Sequence, residues 1–455
     1  MALPFACLVA SLLVPPLPVL ATNPFVQYAV DFPDPDVILS IANNASAAAD
    51  FTGARASVVA WAEEMASYGP WSVTFKPVLA PSGDKQDYMS WAPYMWPDCS
   101  KLGNTTALSN EDVWKKCAYV FRDGQVNPDR ALPNDFQSFY NLSDAVLYNA
   151  IAAAFEPSPS GSSVYSQNAV KFLKTWFLDA ETGMNPNMRY AQMNRGPGGQ
   201  EGAYTGVLDL RNMAKIASGI LLLRKSKNPD WTADLDAGIV AWCSRYLDWL
   251  GSSASGKQAA KMNNNHGTIF VSQLAALKLI VGDTAGAVGA VRGYFDGVFR
   301  EQLSADGNQA NTRILTYADP NASSAAWSHS AHGATIKTAL DFLLTTDPSK
   351  TGESDPVVLA EVYPNIIAVA GAYGDKDGRY AAYFAERGFE QSDEPAFLWA
   401  QAQQQEGDGE GEKVAESSGS SKPQNAGVRA AGGACLQQAL LSLAAVALVH
   451  VISIV

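Results

Sequence analysis

Between Ala56 and Arg387 apolar residues return every three or four positions, run after run, and this spacing commits the chain to packed helices. The runs are Ala56–Ser67, Ser143–Phe155, Val164–Leu178, Leu208–Leu223, Leu235–Leu250, Thr268–Val281 and Ala287–Leu303, then His332–Leu344, Val357–Tyr373 and Tyr380–Arg387. Connectors rich in Gly, Pro and Asn separate them, the arrangement of stacked helical hairpins. No Val/Ile/Thr-rich alternating run has strand length, so β-structure is expected to be minor. Residues 22–402 read as one all-α domain without a repeat of fixed period.

Composition sets the next limits. With 47% apolar and 17% charged residues the chain can bury a large core, which excludes a disordered protein. A net charge of −13 argues against nucleic acid, because phosphate binding needs a basic face. An acidic polymer would need its own local set of cations and neutral donors.

Both ends read as processing segments. Residues 1–21 form an apolar stretch closing at Val19-Leu20-Ala21, a secretory signal, so the mature chain is expected outside the cell. Residues 403–425 are Gln, Glu, Gly and Ser, a polar stalk. Residues 426–455 end in an apolar tail from Ala439 that is shorter than the roughly 20 residues a spanning helix needs. Small residues at Asn425, Ala426 and Gly427 precede it, so a glycolipid-anchor signal fits better than a membrane span. The expectation is a monomer held at the cell surface by lipid.

In an oxidising compartment Cys99 and Cys117, bracketing one loop, are expected to pair, while Cys243 on a helical run reads as a buried free thiol. Asn44, Asn104, Asn141 and Asn321 head glycosylation sequons.

Two long stretches interrupt the helices, Phe75–Ala131 and Asn185–Gly206, and irregular segments of that length inside a compact domain usually carry function. The first interleaves aromatic and polar residues with proline: Asp87-Tyr88-Met89-Ser90-Trp91-Ala92-Pro93-Tyr94-Met95-Trp96-Pro97, then Arg122-Asp123-Gly124-Gln125-Val126-Asn127-Pro128. Trp176-Phe177-Leu178-Asp179 with Met184-Asn185-Pro186-Asn187 and Tyr190-Ala191-Gln192 follows. Asn264-Asn265-His266-Gly267-Thr268 opens one helical run and His332-Gly333-Ala334-Thr335-Ile336 another. In this order the strings resemble the alginate-lyase family of polysaccharide lyases, from about Asp84 to Tyr380. The resemblance implies an incomplete (α/α) toroid with long loops over a cleft. The implied reaction is β-elimination on an alginate- or glucuronan-like polyuronate, with no metal or organic cofactor.

That chemistry removes the C5 proton of a uronic acid, which is barely acidic while the neighbouring carboxylate is charged. Donors must neutralise the carboxylate and hold the developing dianion. A base takes the proton and an acid protonates the leaving oxygen. By resemblance Asn265 and His266 neutralise, and Tyr317 is base and acid. The residues alone also allow a helix N-cap and a satisfied core imidazole. Carried-over substrate contacts are Tyr88, Tyr94, Trp96 and Arg122, each equally readable as loop packing.

The chain departs from the family at one element. Where similar members carry "RTRPxHY", it has Asn311-Thr312-Arg313-Ile314-Leu315-Thr316-Tyr317. Tyr317 and Arg313 keep their places, but the first Arg and the His are gone, and the stretch to Gly333 is short. A lost exon, use of another tyrosine (Tyr88, Tyr94 or Tyr204) and lost activity all fit. A non-catalytic polysaccharide-binding protein of the same fold is therefore the alternative. A glycoside hydrolase would need two opposed carboxylates that no matched string supplies. No His/Cys/Asp spacing forms a metal-ligand set.

Overall fold

A computed structural model of the chain describes residues 23–28, 32–103, 107–199, 201–302, 332–345, 363–388 and 392–400, with 305, 315–316, 361 and 446–447 besides. The architecture is the expected one, an incomplete (α/α) toroid.

Burial separates inner from outer helices. Seventeen of the 21 residues of Asp135–Phe155 are buried, ten of 13 in Met213–Lys225 and 12 of 16 in Asn265–Ile280. Between them in sequence lie Val164–Leu173 and Ala233–Ser252, the latter with only six of 20 residues buried. An amphipathic stripe suits a helix with solvent on one side, whereas an inner helix must be apolar or small all round. The three inner helices run parallel. Asp144 meets Lys215 and Val146 meets Gly219 on the first pair. On the second pair Val207, in the segment leading into Met213–Lys225, meets Gln273 at mid-helix, and Arg224 in the last turn meets Ile280 at the helix end. Their N-termini therefore face the same end of the ring.

Gly219 illustrates how close this packing is, since a Cβ there would stand 3.0 Å from Val146 Cγ1. Buried between the same helices, Lys215 Nζ donates to Asp144 at 2.6 Å and to the Tyr28 carbonyl at 2.6 Å. The N-terminal segment is thus tied into the core. Trp61, Trp176 and Trp242 are among the largest fully buried side chains and pack edge-on or tilted against Tyr148, Phe139 and Phe177.

Helix boundaries differ from the periodic runs where capping decides them. The run expected from His332 begins at Ile336, because Gly333 has φ +79° and the Thr335 hydroxyl accepts from the Thr338 N–H at 3.1 Å. The run Ala287–Leu303 is two helices, Thr284–Asp296 and Val298–Gln302, divided at Gly297. Helix Asp135–Phe155 starts eight residues before the expected Ser143.

The first interruption is not irregular throughout. Ser109 and Asp112 form a capping box on helix Asn110–Lys116. Strand Met95–Asp98 pairs antiparallel with Ala118–Phe121, and Met89–Trp91 pairs parallel with Tyr190–Met193 of the second interruption. The two long segments are therefore one structure. Cys99 and Cys117 are bonded, closing the base of the antiparallel ribbon, and Cys243 is a buried free thiol. Asn44 is exposed, and Asn141 is half-buried and accepts from Gln137 Nε2 at 3.0 Å. Asn104 and Asn321 lie outside the described residues.

Candidate active site

Asn264, Asn265 and His266 stand where inner helix Asn265–Ile280 begins. Asn264 is the N-cap, and its Oδ1 accepts from the His266 backbone N–H at 3.1 Å. The same oxygen lies 3.0 Å from His266 Nδ1. Because an amide oxygen only accepts, this pattern assigns the Nδ1 proton to that bond. A proton on Nε2, and with it a donor toward a carboxylate, then belongs to the imidazolium form. Asn265 is 6% exposed, and its amide has no hydrogen-bond partner among the described residues. The first turn of the helix adds backbone N–H groups and the positive end of its dipole.

Tyr204 lies across from this turn. It opens the 3₁₀ segment Tyr204–Leu210, and its ring centroid is 5.4 Å from that of His266 with the planes at 59°. The segment is held on two sides. Gln273 Nε2, on the His266 helix, donates to the Val207 carbonyl at 3.2 Å. At its far end Asp209, 1% exposed, accepts from Tyr88 Oη at 3.2 Å, from Gln192 Nε2 at 3.0 Å and from Ser90 Oγ. One carboxylate thus gathers both long interruptions beneath the site. Burial pushes its carboxyl up, opposed by the hydrogen bonds from Ser90 and Gln192.

This arrangement corrects the expectation for Tyr88. It is fully buried, so it packs inside the fold and offers no surface to a polymer. Burial, with the Asp209 and Asp135 charges adding to it, pushes its phenol well up, which also disqualifies it as a base. Tyr94, Trp96 and Arg122 are accessible instead. The Trp96 indole N–H donates to the Gln125 carbonyl at 2.8 Å, Arg122 lies over the Trp96 ring at 5.1 Å, and Tyr94 meets Phe121 edge-on at 6.1 Å. Arg122 therefore stacks on a neighbouring ring on the antiparallel ribbon. Arg313 and Tyr317 lie outside the described residues.

Two residues that sequence reasoning passed over hold this region. Asp209 is a charge inside the apolar run Val207-Leu208-Asp209-Leu210, and that interruption was the available signal. Arg195, 6% exposed, sits between the Trp91 and Tyr119 rings at 4.2 and 4.5 Å and donates to Asp129 at 2.9 Å. It locks the ribbon to the second interruption. Among the described residues no three His, Cys, Asp or Glu side chains lie together as metal ligands would.

An amide and an imidazole at an inner-helix terminus, beside the second of two joined interruptions of a helical toroid, fit the class of polysaccharide lyases built on this fold. The chain belongs to the alginate lyase family, whose sequence pattern matches residues 72–318. Among solved structures it is similar to an alginate lyase from Bacteroides ovatus, with a TM-score of 0.64 and 24% identity over 81% of this chain and 98% of that one. That likeness concerns the fold. A comparison with curated proteins finds no match.

Proposed function

We infer that this protein is a secreted, lipid-anchored lyase that cleaves an acidic uronic-acid polymer, alginate- or glucuronan-like, by β-elimination. The observation that carries this reading is the pairing of Asn265 and His266 on the first turn of an inner helix, with Asn264 holding Nδ1 of the imidazole. The Asn265 amide and the His266 imidazolium would bind the uronate carboxylate and spread its charge, so that C5–H becomes acidic enough to lose. Tyr317, matched to the family's tyrosine, would serve as base and acid, with Arg313 as the nearby cation. Tyr94, Trp96 and Arg122 would line the polymer's path along the ribbon. The parallel inner helices turn their N-termini toward this end, which favours an anion despite the net charge of −13.

The second reading is a surface protein of the same fold that binds acidic polysaccharide without cleaving it. Asn311 and Thr316, in place of the family's Arg and His, favour it. One experiment separates the two. The ectodomain is incubated with alginate, glucuronan and related polyuronates while ultraviolet absorbance follows the new C4–C5 double bond. Unsaturated product supports the lyase; retention on immobilised polymer without product supports the binder. The absence of both product and retention would remove both readings.

A further inference from the structure

Several tyrosine hydroxyls are committed, Tyr28 to Glu394, Tyr88 to Asp209, Tyr246 to Gln273, Tyr294 to Gln302 and Tyr380 to Asp341, while those of Tyr119, Tyr140 and Tyr383 are unpaired but sealed from solvent. Tyr204 differs. It is half-buried, its ring leans on His266, and its hydroxyl has no hydrogen-bond partner among the described residues. Its position is also fixed. Gln273 ties the segment to the His266 helix and Asp209 ties it to the paired strands. A Cβ on Gly206 would lie 2.5 Å from Ala191 Cβ, so the backbone there is pressed against the second interruption. A phenol held this firmly with an uncommitted hydroxyl is a preorganised donor.

We propose that Tyr204 is a second proton-transfer tyrosine, donating its phenolic proton to the leaving glycosidic oxygen. This rests on the lyase reading and revises one step of it: the leaving oxygen's proton, assigned above to Tyr317, comes from Tyr204, and Tyr317 keeps only the C5 proton. A group that holds the carboxylate on C5 has the C4 oxygen close by, since C4 and C5 are bonded neighbours, so a phenol whose ring lies 5.4 Å from the His266 ring is within range of that oxygen. In the step, Tyr317 takes the C5 proton and the C5–H electron pair becomes the C4–C5 π bond. The C4–O bond breaks, its electron pair stays on oxygen, and that oxygen takes the Tyr204 proton. The half-exposed Tyr204 then recovers a proton from solvent, and Tyr317 releases the C5 proton there.

The test uses Tyr204→Phe, which keeps the ring on His266 and removes only the hydroxyl. Two substrates are compared with wild type: the polyuronate, and a uronide carrying 4-nitrophenolate at C4, a leaving group that needs no protonation. The expected result is a kcat loss of about 10²–10⁴-fold on the polymer with KM nearly unchanged, and a rate close to wild type on the aryl substrate. Full activity of the variant on the polymer overturns the assignment while leaving the lyase reading intact. An equal loss on both substrates overturns it too, because the hydroxyl would then act before the leaving group matters. A wild type that forms no unsaturated product from either substrate overturns the lyase reading and this inference with it.

Discussion

Lys76 Nζ lies 3.1 Å from Asp135 Oδ2, with both side chains 1% exposed. Lys76 also donates to the carbonyls of Val73, Asp87 and Lys85, at 2.6, 2.7 and 3.1 Å, and Asp135 accepts from the Met89 N–H at 2.8 Å. The pair thus nails the start of the first interruption to the start of an inner helix. It works as a clamp on the first interruption.

Removing one partner of such a pair strands a charge in the interior. Lys76→Met is expected to lower unfolding free energy by about 3–5 kcal/mol, read by urea titration. The deficit should shrink in acid. Burial pushes Asp135 from 3.8 up to about 7, with Lys76 the main opposing influence. A carboxyl whose folded-state pKa is raised binds more protons folded than unfolded, so its contribution is favourable below 3.8 and is lost as pH rises through about 7. Without Lys76 that rise grows, and the variant should lose more stability than wild type across this window. A deficit that does not vary with pH would contradict the assignment of the charge.

Asp209→Ala leaves the donors of Tyr88, Ser90 and Gln192 without their shared acceptor. Each stranded donor is expected to cost about 1–3 kcal/mol, with a total below the sum because the loops relax. The loss should appear first at the junction of the two interruptions, as faster amide exchange at Gln192 and Tyr204 than at the inner helices. Uniform acceleration across the fold would instead make Asp209 an ordinary core residue.

The Cys99–Cys117 bond closes the antiparallel ribbon that bears Trp96 and Arg122. Replacing both cysteines by serine is expected to cost about 3 kcal/mol by the loop-entropy relation. Wild type should melt earlier in reductant and the double variant should be indifferent to it. Differential scanning calorimetry with and without reductant checks this.

Asn264→Ser keeps a capping hydroxyl for the helix but removes the oxygen that holds His266 Nδ1. Stability should stay near wild type. Product formation should fall at least about tenfold, ~1.4 kcal/mol of barrier, because the imidazole is no longer held in one orientation. If activity is unchanged, the tautomer assignment is irrelevant to the reaction.

The helical architecture was legible in the sequence because apolar period is a local property, and the place of Asn265 and His266 at a helix start was legible because the pair is contiguous with its N-cap Asn264. Cys99 and Cys117 were legible from loop spacing. The roles of Tyr88 and Tyr204 were not. Both are tyrosines in long interruptions, and only packing decides that one is sealed against Asp209 while the other leans on His266.

The residues by themselves determined a helical chain with two long insertions and an amide–imidazole pair at one helix start. Tertiary structure alone decided that the insertions share a strand pair, that Asp209 collects Tyr88 and Ser90 from the first and Gln192 from the second, and that Lys76 is interior. The physical reason is that periodicity and capping act over a few neighbouring residues. A buried charge, by contrast, is made tolerable by partners that only the fold brings together.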